Sequence, residues 1–223
     1  MSNSPLVTYT RLTKNRTSPR NHIIDTITIH CVVGQWTAKQ GCDYFATTNR
    51  QCSSNYVVGK DGSIGLSVEE KDRSWCSSNS ANDNRAVTIE VASDTFHPYK
   101  VTDAAYKALI NLLVDICQRN NIKELKWKAD KSLIGQVDKQ NMTVHRWFAS
   151  KSCPGDYLYN LHGQIASEVN SRLNPTNSKP QTATKTLYKV QAGAFSSKSN
   201  AEALVRRLKS SGFEACIVPE ELK

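Results

Sequence analysis

The run Ile23-Ile24-Asp25-Thr26-Ile27-Thr28-Ile29-His30-Cys31-Val32-Val33 decides the fold. Its β-branched side chains favour an extended backbone, so it reads as a central strand, interrupted near its far end by His30. Working outward, Trp36 to Asn49 predicts a helix. Asn55 to Val58, then Gly-Lys-Asp-Gly, then Ser63 to Leu66 has the pattern of a hairpin with Asp61 and Gly62 at its turn. Ala86 to Ala92 is a second buried-strand candidate, and Met142 to Val144 a short third one before His145. Thr102 to Arg119 predicts a helix capped by Thr102, with Asp103 in its first turn and Tyr106, Leu109, Ile110, Leu113, Val114 and Cys117 on one face. Asp156 to Leu173 predicts another long helix after the Cys153-Pro154-Gly155 turn. Strands alternating with covering helices make an α/β domain with a central mixed sheet flanked by helices.

Beyond Leu173 the composition changes. Asn174 to Lys185 holds Asn, Thr, Ser, Pro and Lys with almost no apolar residue, a linker composition. Ala201, Leu204, Val205 and Leu208 then recur at helical spacing between two apolar runs, which reads as a small β-α-β segment. The expected division is a domain over 1–174, a linker over 175–185 and a small module over 186–223. A length of 223 residues accommodates one domain with a sizeable core plus something smaller.

With 39% hydrophobic residues, ten glycines and seven prolines, the chain is neither collagen-like nor wholly disordered. No run approaches the ~18 apolar residues of a membrane span, so stable membrane insertion is not expected. The N-terminus lacks the apolar core of a secretory signal, which predicts synthesis in the cytoplasm without a signal peptide. Seven cysteines at irregular spacing cannot all pair, so mostly reduced thiols are expected. A net charge of +9 favours an anionic polymer as partner. The basic residues are scattered and accompany no nucleic-acid-binding motif, so nucleic acid is not the expected one.

Polar residues stand where core residues were expected. His30 closes one strand, Glu90 sits inside Val-Thr-Ile-Glu-Val, and His145 follows Met-Thr-Val. Each could be an ordinary buried group, Glu90 by pairing with Arg85 or a lysine. Cys153 lies eight residues after His145. Two histidines and one thiolate make a three-ligand zinc set with a fourth position open for water. Spacing alone carries this no further.

The segments Thr-Ile-Thr-Ile-His-Cys-Val-Val, Ser-Ser-Asn-Tyr-Val-Val-Gly-Lys-Asp-Gly, Asn-Arg-Ala-Val-Thr-Ile-Glu-Val-Ala and Thr-Val-His-Arg-Trp-Phe-Ala-Ser-Lys-Ser-Cys-Pro-Gly resemble, in order, the zinc-dependent N-acetylmuramoyl-L-alanine amidases of the peptidoglycan-recognition and phage-lysozyme type. The resemblance covers roughly residues 20–172. It implies one zinc per chain held by His30, His145 and Cys153, with Glu90 and Lys151 as catalytic residues. It implies peptidoglycan as the partner, a monomer, and a phage or prophage endolysin or autolysin that reaches the wall after holin-type release or lysis. Cys31 replaces the second histidine that many members carry, Trp147 stands where many have aspartate, and Ser54 where the phage-lysozyme branch has a catalytic tyrosine, which makes Tyr56 structural. The tail resembles the beginning of a sporulation-related repeat, a peptidoglycan-binding module. Two alternatives stay open: a non-catalytic peptidoglycan-binding protein, and a Cys-His thiol hydrolase built on Cys153 and His145.

Overall fold

A computed structural model describes residues 2–175 and 191–219. In chain order the elements are β1 (Tyr9–Thr10), β2 (Arg16–Thr17), β3 (Thr26–Cys31), α1 (Ala38–Thr47), β4 (Tyr56–Val58), β5 (Ile64–Leu66), β6 (Arg73–Ser74), α2 (Ser80–Arg85), β7 (Ala86–Val91), α3 (Asp103–Arg119), β8 (Met142–Thr143), α4 (Gly155–Leu173) and α5 (Lys198–Ser210). Short 3-10 turns cover Lys131–Leu133 and His145–Trp147. The chain divides into two compact units, Met1–Lys179 and Pro180–Lys223.

In the first unit one six-stranded mixed sheet has the order β1-β5-β4-β7-β3-β8, and β2 pairs with β6 separately. β3 lies between β7 and β8 and runs parallel to both, which is why its whole length is buried. β4 and β5 form the predicted antiparallel hairpin. Side chains alternate across the sheet. Ile27, Ile29, Val87, Ile89 and Val91 face the main core, with Leu109, Leu113 and Ile116 of α3 and Leu158, Ile165 and Val169 of α4. Val57 faces the other way and packs on Cys42 and Phe45 of α1. α3 starts where Thr102 accepts a hydrogen bond from the Ala105 amide, as its sequence predicts.

On the face opposite the main core, α1 covers the β4-β5 half. The β3-β7 half instead meets the short α2, capped by Asn79, and the turn that precedes it. This half carries a row of polar side chains. Thr28 Oγ1 meets Thr143 Oγ1 at 2.7 Å and accepts from Asn82 Nδ2 at 3.0 Å. Thr88 Oγ1 meets Ser74 Oγ at 2.7 Å, and its amide donates to Asn55 Oδ1 at 3.1 Å.

Tyr56 is fully buried, and its hydroxyl donates to Glu70 Oε1 at 2.6 Å. Glu70 in turn pairs with Arg119. Tyr56 is thus part of the scaffold, as is Ser54, whose hydroxyl donates to the Tyr56 carbonyl.

In the second unit α5 forms where the periodicity placed it, with no buried residue. The flanking residues 191–197 and 213–219 make no strand pairing among the described residues. Leu187 to Val190, the start of the first expected strand, and most of the expected linker lie outside the described residues. Among the described residues no helix is long and apolar enough to cross a membrane.

Candidate metal centre

The parallel register of β3 and β7 sets His30 beside Glu90, two residues beyond the Thr28-Thr88 pair. β8 pairs Met142 with Ile27 and Thr143 with Thr28, so the chain leaving it delivers His145 to the same end of β3. Cys153 precedes α4, whose packing on the main core fixes where that turn comes down. The donor atoms of His30, His145 and Cys153 consequently lie within 4.8 Å of one another, although His30 and Cys153 are 123 residues apart.

Cys153 Sγ is 3.3 Å from His30 Nδ1, and Glu90 Oε1 is 4.0 Å from the same nitrogen. The rings of His30 and His145 meet edge-on with centroids 5.1 Å apart. Arg85 does not pair with Glu90. It holds Asp25 instead, its Nε donating to Oδ1 at 3.0 Å. Among the described residues, Glu90 Oε2 and His30 Nε2 are buried without a hydrogen-bond partner.

Burial holds the His30 imidazole well below its ordinary pKa, with help from the charges of His145 and His162. Burial also lowers that of His145, and the Lys151 ammonium adds to it. Both rings are therefore neutral near pH 7 and carry the lone pair a metal requires. Glu90 is pushed up to about 7 by burial, partly offset by the Cys76 thiol. The Cys153 thiol is raised well above its usual value by its contact with the Cys31 thiol, by burial and by the charge of Glu90.

A zinc ion fits these residues. Tetrahedral ligands at about 2.0–2.3 Å from a common ion stand roughly 3.5 Å apart, close to the Cys153-His30 separation. A cation would also answer the buried Glu90 oxygen and convert the reluctant thiol to a thiolate. The donor set of two imidazoles and one thiolate is one that zinc favours.

Lys151 is exposed and lies close enough to His145 to bear on its charge. Trp147 is buried and stacks on Trp127 with ring centroids 5.1 Å apart. Asp156 takes up Arg146, accepting from it at 2.9 Å, while the same guanidinium lies over the Tyr159 ring. Residues of the stretch from Glu124 to Lys139 line a groove of about 880 Å³ against α4 that contains none of the donor residues.

Sequence reasoning missed the turn from Cys76 to Asn79. Cys76 Sγ reaches Glu90 Oε1 at 3.9 Å, and Ser78 Oγ lies 3.1 Å from His145 Nε2. Asp83 accepts from the Cys76 and Ser77 amides. The only available signal was the crowding of Asn and Asp after Ser-Ser, which marks a helix cap rather than a site.

The sequence pattern of the N-acetylmuramoyl-L-alanine amidase family matches residues 19–156, more than half of the chain, and the chain belongs to that family. It is an enzyme of this peptidoglycan-cleaving class, and its particular form joins the amidase domain to a SPOR domain, a peptidoglycan-binding module whose pattern matches residues 165–219. No curated protein matches the chain. Among solved structures, PlyL shares 15% identity at a TM-score of 0.56, covering 73% of this chain and 96% of its own. A selenomethionine derivative of AmpD shares 17% at 0.55, again over 73% and 96%. The endolysin N-acetylmuramoyl-L-alanine amidase LysCS from Clostridium intestinale shares 16% at 0.52, over 74% and 98%. At such identities the likeness concerns the fold.

Proposed function

We propose that the chain hydrolyses the amide between N-acetylmuramic acid and L-alanine in bacterial peptidoglycan, using one zinc held by His30, His145 and Cys153. The observation that carries this reading is that the donor atoms of those three residues lie within 4.8 Å of one another, with Glu90 Oε1 4.0 Å from His30 Nδ1. Bound there, zinc supplies Lewis acidity, bringing the pKa of a water toward 7 and polarising the scissile carbonyl. Glu90, with a pKa near neutrality, accepts the proton from the attacking water and returns it to the departing amine. Lys151 sets positive charge at the mouth of the site, where the carbonyl oxygen gains negative charge. His30 and His145 stay neutral and hold their lone pairs inward. The thiol-hydrolase alternative uses one imidazole and leaves the second of the two histidines gathered on Cys153 without a role.

The remainder of the reading follows from the class. The enzyme acts as a monomeric endolysin or autolysin, made in the cytoplasm and reaching the wall after holin-type release or lysis. The SPOR segment raises its local concentration on glycan through avidity.

The test is metal content beside product analysis on isolated cell walls. One zinc per chain, new L-alanine amino termini and no new reducing ends are expected. Cys153→Ser should lose zinc and cleavage together. Zinc-independent cleavage would revive the thiol hydrolase, and binding to walls without cleavage would leave a peptidoglycan-binding protein.

A further inference from the structure

Ser78 is the one residue of the Cys76–Asn79 turn with a left-handed backbone, at a φ of 61°. A serine there is strained where glycine would not be, and such strain persists only where surrounding contacts impose it. Those contacts are plain. The Cys76 amide donates to Asp83 Oδ2 at 3.0 Å and the Ser77 amide to Asp83 Oδ1 at 3.2 Å, from a fully buried carboxylate. Ser77 Oγ accepts from Asn82 Nδ2, which also reaches Thr28 on β3, while Asn82 Oδ1 accepts from Thr143 on β8. The turn is thus tied to the two strands that carry His30 and lead to His145.

The side chain that this backbone presents is a hydroxyl 3.1 Å from His145 Nε2. A neutral imidazole has one N–H and one lone pair. If Nε2 carries the proton and donates it to Ser78 Oγ, Nδ1 is left with the lone pair and the ring is held in one orientation. Histidines that bind metal are commonly fixed in this way through their second nitrogen.

We propose that Ser78 is the positioning residue for His145, accepting its Nε2 proton so that Nδ1 is presented to the zinc. The proposal rests on the zinc amidase reading above. It gives the left-handed serine a purpose that a glycine at the same place could not serve.

The test uses the full chain with Ser78→Gly and Ser78→Ala. Glycine removes both the hydroxyl and the strain, whereas alanine removes only the hydroxyl. Zinc affinity, read by competition with a chelator, should fall about tenfold or more in both variants. The thermal midpoint of the zinc-free protein should hold or rise in Ser78→Gly, which separates positioning from general loss of structure. In the zinc-bound wild type, nitrogen NMR of His145 should show the proton on Nε2. Tight zinc binding in the wild type with unchanged affinity in both variants overturns the proposal and leaves the amidase reading standing. A proton found on Nδ1 overturns it equally. A wild type that binds no zinc overturns the reading on which it rests.

Discussion

Two residues separate the Thr28-Thr88 row from the His30-Glu90 row, on one face of one strand pair, and the two are treated in opposite ways. In the lower row both hydroxyls have partners within 3.1 Å from Asn82, Thr143, Ser74 or Asn55. In the upper row a ring nitrogen of His30 and an oxygen of Glu90 are buried without a partner among the described residues. Polar burial is thus not itself the mark of a site. A satisfied network stabilises and specifies the core, whereas titratable donors gathered on one another, as His30, His145 and Cys153 are within 4.8 Å beside Glu90, are poised for a ligand.

The largest expected effect tests the upper row. Glu90→Gln should lower turnover by about 10²–10⁴-fold while zinc stays at one per chain. Loss of zinc in that variant would join Glu90 to the ligands and erase the division of roles.

A buried histidine outside the donor set extends the comparison. His162 donates through Nδ1 to the Leu158 carbonyl at 2.6 Å, and burial brings its pKa down to about 4. Since the unfolded chain then binds the extra proton, stability is full above about pH 6.5 and falls as the pH drops toward 4. The shift corresponds to on the order of 3 kcal/mol. Denaturant midpoints of His162→Gln should lack that part of the acid slope, and an unaltered slope would assign it to other groups.

Thr88→Val strikes the lower row, stranding Asn55 and Ser74, and should cost about 1–3 kcal/mol in chemical denaturation with kcat unchanged. A loss of turnover without loss of stability would make the lower row part of the chemistry and break the comparison. The smallest effect lies at the start of α3, on the other side of the sheet. Thr102→Ala removes a helix cap at about 1 kcal/mol, read as a lower thermal midpoint without altered zinc affinity.

What the sequence made legible follows the same physics. β3 and β7 are β-branched runs broken only near their far ends, by His30 and Glu90, and α3 repeats its apolar residues every three or four positions, so burial wrote both patterns directly. The two-residue strands β1, β2 and β6 left no trace, because each is defined by a partner more than 50 residues away. The polar six-residue α2 has no apolar face to read. In the site, His30, Glu90, His145 and Cys153 stood out through motif resemblance, with the first three also standing at the ends of apolar runs. Cys76 and Ser78 belong to a turn whose backbone is fixed by Asp83 and Asn82, and nothing local distinguishes their side chains from solvent-facing ones.

The register of β3 also carries a consequence for the order of assembly. Its partner β8 arrives late, Thr28 and Thr143 being 115 residues apart, and Cys153 follows later still. Parallel pairing at such separations is slow because the intervening loop must close before any contact rewards it. During synthesis His30 and Glu90 leave the ribosome long before either remaining donor. The four side chains of the candidate centre therefore come together only after the chain through Cys153 has been made, unlike a zinc finger, whose ligands lie close in sequence.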